Sequence, residues 1–173
     1  MNEFDRINIE RSLLDRNMLT VWTQFRQAAV ELIESYNRLE EAQGYPATIK
    51  PEFPELSFVV TCVFGVTRGG DTLAINVKVS RRQEAYVIEA LIERWLRPSD
   101  SILKRDGAPK LLRFELKVQP GRDIGFTSGG EKAWLECDEY KGEELSPQQA
   151  AEKVLMKALW HRGNGPEVFR PNP

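Results

Sequence analysis

Residues 56–80 read LSFVVTCVFGVTRGGDTLAINVKVS, and the fold follows from how this stretch turns back on itself. Leu56, Phe58, Val60, Cys62, Phe64 and Val66 alternate onto one side, and Leu73, Ile75, Val77 and Val79 do the same after an interruption. A period of two is that of a strand with one buried face. Gly69-Gly70 lies between them and has no Cβ to oppose the positive φ that a two-residue hairpin turn requires. If Arg68 faces Asp71 across the turn, Val66 faces Leu73, Phe64 faces Ile75, Cys62 faces Val77 and Val60 faces Val79. The other side then pairs Thr67 with Thr72, Val63 with Asn76 and Thr61 with Lys78. A slip of one residue would turn one strand inside out.

Before this hairpin, Leu14, Met18, Val21, Trp22, Phe25, Ala29, Leu32, Ile33, Tyr36 and Leu39 recur at spacings of three and four, the stripe of an amphipathic helix. Ser12 with Asp15 is a candidate cap and Gly44 a candidate end, about 45 Å of helix, with the membership of residues 1–18 left open. The prolines of residues 44–55 read as an extended connector.

After the hairpin, Ser80 and Gln83 have capping-box spacing, and Val87, Ile88, Leu91, Ile92 and Trp95 fit a helix over 81–96, with a strand as the rival reading. Residues 97–109 read as a loop. Leu112, Phe114, Leu116 and Val118 then alternate with Arg113, Glu115, Lys117 and Gln119 as a half-buried strand. A second Gly-Gly at 129–130 suggests another hairpin, pairing Phe126 with Ala133 and Ile124 with Leu135, with an irregular loop over 119–132 as the alternative. Ser146, Pro147 and Gln149 open a final helix that Gly163 ends.

The expectation is one α+β domain over residues 1–163 in two layers. An antiparallel sheet of about four to five strands carries helices on one face in the order α-β-β-α-β-β-α, and 164–173 form a flexible tail. No stretch carries a family signature. The element order is loosely similar to that of small acidic secretion chaperones, a likeness of architecture from which no residue role follows.

A chain of 173 residues buries enough surface to fold without staples. Cys62 and Cys137 fall on core-facing positions, where a thiol acts as a small hydrophobe. A single histidine and no CxxC spacing give no metal site, and no cofactor is expected. The amino end lacks a signal-peptide pattern, and no apolar run approaches the roughly 20 residues that span a bilayer, so a cytoplasmic location without membrane contact is expected. Net charge is −2, yet residues 78–122 hold 11 basic against 6 acidic residues, net +5, so the rest of the chain is net −7.

Three constellations have chemistry in reach and a plainer explanation. Gly125 to Lys132 approaches a phosphate loop, but Glu131 stands where the lysine belongs and a strand follows. His161 suits the carbonyl end of the last helix. Glu136, Asp138, Glu139, Glu143 and Glu144 alternate outward or precede a helix start, with no sign of the burial that shifts a carboxyl group's pKa. No catalytic residue is expected, and an enzyme is the less favoured reading.

Trp22, Trp95 and Trp160 sit on helical stripes and belong to the core, whereas strand parity turns Trp134 away from Leu135 and Cys137. If the helices cover one face, the other presents Val59, Thr61, Val63, Asn76, Lys78, Arg113, Glu115, Lys117 and Trp134, a mixture of β-branched, basic and aromatic groups suited to an interface. The leading functional expectation is therefore a protein-binding module, dimeric or docking another protein, that uses this face or a sheet edge. Nucleic-acid binding by the basic 78–122 segment ranks second. A small-ligand carrier or enzyme with a pocket between the long helix and the sheet ranks third.

Overall fold

The computed structural model describes residues 2–39, 46–52, 56–66, 72–97, 104–121, 123–124, 127–128 and 131–159. Its elements are α1 (Glu3–Asn37), β1 (Ala47–Glu52), β2 (Ser57–Val66), β3 (Thr72–Arg82), β4 (Val87–Arg97), β5 (Lys104–Arg105), β6 (Lys110–Gln119), β7 (Asp123–Ile124), β8 (Thr127–Ser128), β9 (Lys132–Cys137) and α2 (Pro147–Leu159). Strands β1, β2, β3, β4, β6 and β9 lie side by side in that order, all antiparallel, with β5 beside the far half of β4. Strands β7 and β8 pair only with each other. The α+β class holds, with seven strands in the main sheet where four to five were expected.

Both helices lie on one face of this meander. Trp22 and Phe25 of α1 meet Phe58 of β2 at ring centroid distances of 5.6 and 6.3 Å, and Phe25 meets Phe114 of β6 at 6.2 Å. Ala150, Ala151, Val154, Leu155, Ala158 and Leu159 of α2 join the same core. The sheet contributes Val60, Cys62, Ile75, Val77, Val79, Ile88, Ala90, Leu112, Leu116 and Leu135 to it.

The hairpin of residues 56–80 forms with its faces as expected and its register displaced. Cys62 pairs with Ile75, Val60 with Val77 and Phe58 with Val79, two residues from the expected partners, so each inward residue stays inward. An extra residue in β2 between Phe64 and Val66 absorbs part of the shift, and the ladder closes on Val66 with Thr72. Gly69, Gly70, Arg68 and Asp71 themselves lie outside the described residues.

The expected helix over 81–96 is β4 instead. A short 3₁₀ turn at Gln83–Ala85 and a left-handed Tyr86 (φ 53°) reverse the chain from β3 into it. Strand β4 lies between β3 and β6, so Val87 and Ile88, on opposite faces, are both fully buried. Helix α1 begins at Glu3 rather than near Ser12, because Asn2 caps it by accepting from the Asp5 amide at 2.8 Å. Part of the expected connector is the edge strand β1. In the second expected hairpin Ala133 and Leu135 pair with Val118 and Leu116 of β6, while Ile124 pairs with Thr127. The cap of α2 is as expected: Gln149 N donates to Ser146 Oγ at 3.1 Å and Ser146 N to Gln149 Oε1 at 2.9 Å. Gly44, Phe126, Trp160, His161, Gly163 and the tail lie outside the described residues.

Candidate interaction surface

Strand pairing places all nine residues expected on the open face on one side of the sheet, opposite the helices. Lys50, Val59, Lys78, Leu91 and Leu111 pair in succession across five strands, a row of about 19 Å at strand spacing. Thr61, Asn76 and Glu93 form the next row, with Thr61 Oγ1 2.8 Å from Asn76 Oδ1. On the other side Arg113 pairs with Glu89, Glu115 with Glu136, and Lys117 with Trp134. Val63 is 49% and Leu111 55% exposed, while Val59, Leu91 and Trp134 are half-buried. A depression of roughly 440 Å³ lined by Lys50, Pro51, Val59, Thr61, Asn76, Lys78, Leu91 and Glu93 lies in this face.

Trp95 also belongs to this surface. It pairs with Ala74 and Arg105 and so faces outward, contrary to its expected place in the core. The signal was present in the sequence, since a strand reading of 87–97 puts Trp95 in phase with Leu91 and out of phase with Ile92. The two outward indoles are held alike. Trp95 Nε1 donates to Glu93 at 3.2 Å with Arg105 5.1 Å from its ring; Trp134 Nε1 donates to Glu136 at 3.0 Å with Lys132 5.1 Å from its ring.

The carboxylates of this face are engaged by neighbours: Glu89 by Arg82 at 3.0 Å and Arg113 at 3.9 Å, Glu93 by Arg105 at 3.4 Å, and Glu115 by Lys117 at 3.1 Å. Among the described residues the face carries Lys50, Lys78, Arg82, Arg97, Arg105, Arg113, Lys117 and Lys132 against Glu89, Glu93, Glu115 and Glu136. A positive surface thus sits on a chain of net charge −2.

The sheet edges are less open than the face. On β1 the Asn37 side chain bonds both the N–H and the C=O of Ala47, and Pro51, in phase with Ala47, has no N–H to offer. On β9 Leu135 exchanges both backbone hydrogen bonds with Leu145, at 2.8 and 2.9 Å.

The carboxylates near residue 140 do not pair with one another. Glu136 takes the Trp134 indole, Glu144 takes Lys132, Glu143 lies 3.7 Å from Lys153, and Glu139 is shared by Lys110 and Lys157. Burial, followed by the neighbouring Lys110 ammonium, pushes the Lys157 amine down to about 8. Cys137 and Cys62 are buried free thiols pushed up by desolvation, and Cys62 lies 3.6 Å from the buried Tyr36 hydroxyl. Between α1 and the sheet, where a ligand pocket was considered, the rings of Trp22, Phe25, Phe58 and Phe114 pack together. No helix among the described residues is long and apolar enough to cross a membrane. No protein-family model, curated protein or solved structure matches the chain.

Proposed function

We propose that this protein is a binding module that docks a protein partner on the open face of its sheet. The observation that carries this reading is the contrast between closed edges and an uncovered face. Strand addition at β1 meets the Asn37 clamp and Pro51, and at β9 it meets Leu145, whereas the row of Val59, Lys78, Leu91 and Leu111, with Val63 beyond the row of Thr61, stands uncovered by either helix. A surface that mixes exposed apolar groups with basic ones has the composition of a protein interface.

The test replaces Val63 and Leu111 by Asp, both exposed enough for the fold to tolerate the change, beside a control Met156→Asp on the exposed side of α2. Proteins captured by the wild type and the control, and lost with the double variant at unchanged melting temperature, support the reading. An identical captured set for all three forms removes it.

Nucleic-acid binding is the second reading, favoured by the positive excess of the same face and its two outward indoles. It requires affinity that falls steeply with added salt. A filter-binding assay with single-stranded DNA and RNA that retains nothing at low salt disposes of it.

A further inference from the structure

The depression in the open face is framed by ammonium groups. Lys50, Val59, Lys78, Leu91 and Leu111 follow one another across the strands, so two exposed lysines stand two strand spacings apart, about 10 Å, with aliphatic side chains between and beyond them. Glu93, the carboxylate among the lining residues, is turned to Arg105 at 3.4 Å and to the Trp95 indole at 3.2 Å. Thr61 Oγ1 donates to Asn76 Oδ1 at 2.8 Å, which uses the acceptor of that amide and leaves its N–H donors. From β1 across to Arg113 of β6, the outward positions hold Lys50, Lys78, Arg82, Arg97, Arg105 and Arg113 against Glu52, Glu89 and Glu93. Beyond Arg113, Glu115 and Lys117 pair with each other at 3.1 Å. Donors and positive charge are therefore in excess around the depression.

We propose that the partner docked on this face is an acidic segment of another protein that carries aliphatic side chains among its carboxylates. The inference rests on the docking reading and adds to it the chemistry of the partner. Carboxylates placed over Lys50 and Lys78 gain charge-assisted hydrogen bonds, and the Asn76 amide offers neutral donors beside them. Aliphatic groups between those carboxylates remove Val59, Leu91 and Leu111 from water.

Two other occupants fit this surface less well. A second copy laid face to face makes a self-complementary contact, which sets one basic excess against the same basic excess. A nucleic-acid strand stacks its bases on open aromatic faces. Each outward indole here already has a cation over its ring and a carboxylate at its N–H, Arg105 and Glu93 for Trp95, Lys132 and Glu136 for Trp134. The depression itself is lined by Val59, Leu91 and Pro51, which suit aliphatic side chains rather than bases.

A random-peptide phage library panned on the wild type is expected to return sequences rich in Asp or Glu with Leu, Ile or Val among them. By fluorescence polarisation these peptides bind the wild type and lose about tenfold or more in affinity for the variant with Lys50→Glu and Lys78→Glu. Both lysines are exposed, so the melting temperature is expected to hold; Lys50→Ala with Lys78→Ala gives a smaller loss in the same direction should the reversal unfold the chain. An empty selection, selected peptides without an acidic excess, or acidic ones indifferent to the lysine variants overturn the proposal. So do oligothymidylate bound more tightly than any selected peptide and self-association in sedimentation that the reversal abolishes. Peptides of other composition that Val63→Asp with Leu111→Asp releases would leave the docking face standing and remove the acidic class alone.

Discussion

The side chain of Asn37, the last residue of α1, holds the backbone of Ala47 from both sides: Asn37 Nδ2 donates to Ala47 O at 2.9 Å and Ala47 N donates to Asn37 Oδ1 at 2.8 Å. An amide thus stands in for one residue of a neighbouring strand and ties the edge of the sheet to the helix above it. Replacing Asn37 by Ala removes both bonds and leaves half-buried groups on β1 unpaired, at a cost of about 1–3 kcal/mol. Asn37→Asp keeps the acceptor but sets a carboxylate against the Ala47 carbonyl, so it destabilises at neutral pH and recovers in part on acidification. Urea unfolding measures both; a midpoint unchanged in Asn37→Ala contradicts the clamp.

Phe25 is the hub of the inner face, with Trp22, Phe58 and Phe114 at ring centroid distances of 6.4, 6.3 and 6.2 Å. Truncation to Ala removes contacts with two strands at once and is expected to cost about 3–5 kcal/mol, and Phe25→Leu about 1–1.5 kcal/mol. Equal losses in the two variants, read from denaturant midpoints, would show that the ring itself contributes nothing.

The reciprocal bonds between Ser146 and Gln149 satisfy two backbone N–H groups, one of them at the start of α2. Ser146→Ala is expected to destabilise by about 1 kcal/mol. Because the two side chains act as one cap, Gln149→Ala should add less in the Ser146→Ala background than alone. A double-mutant cycle with no coupling term refutes the shared role.

Lys157 titrates at about 8 in the folded chain against an ordinary 10.5, because its ammonium is desolvated and lies beside Lys110. The folded state disfavours the proton, so the penalty is fully present below about 8, fades between 8 and 10.5 and is absent above. The stability of wild type minus that of Lys157→Met therefore rises with pH across this window. A difference that stays flat from pH 7 to 10.5 in paired unfolding experiments would show the amine to be unperturbed.

The sequence made legible whatever had one buried side. Residues 57–66, 72–79 and 110–119 alternate and are strands, the α1 stripe is a helix, and Ser146 with Gln149 caps α2. Strand β4 was misread because its outer face is itself largely apolar: Val87, Leu91 and Trp95 there, with Ile88 and Ile92 of the inner face, fall by chance on a helical period. The hairpin register slipped by two because such a slip preserves every face, and only turn chemistry distinguishes the two pairings. The open face survived both errors, since parity alone decides it. Trp95 was lost with β4.

The two helices bracket the meander along the chain and pack against each other on its inner face. A ribosome therefore releases the sheet as a series of neighbouring hairpins that can zip together early, while the inner face waits for α2 before the core is complete. Until that moment the nascent protein displays an oily flank that holding chaperones recognise, and losing α2 to proteolysis would return a finished molecule to the same exposed condition.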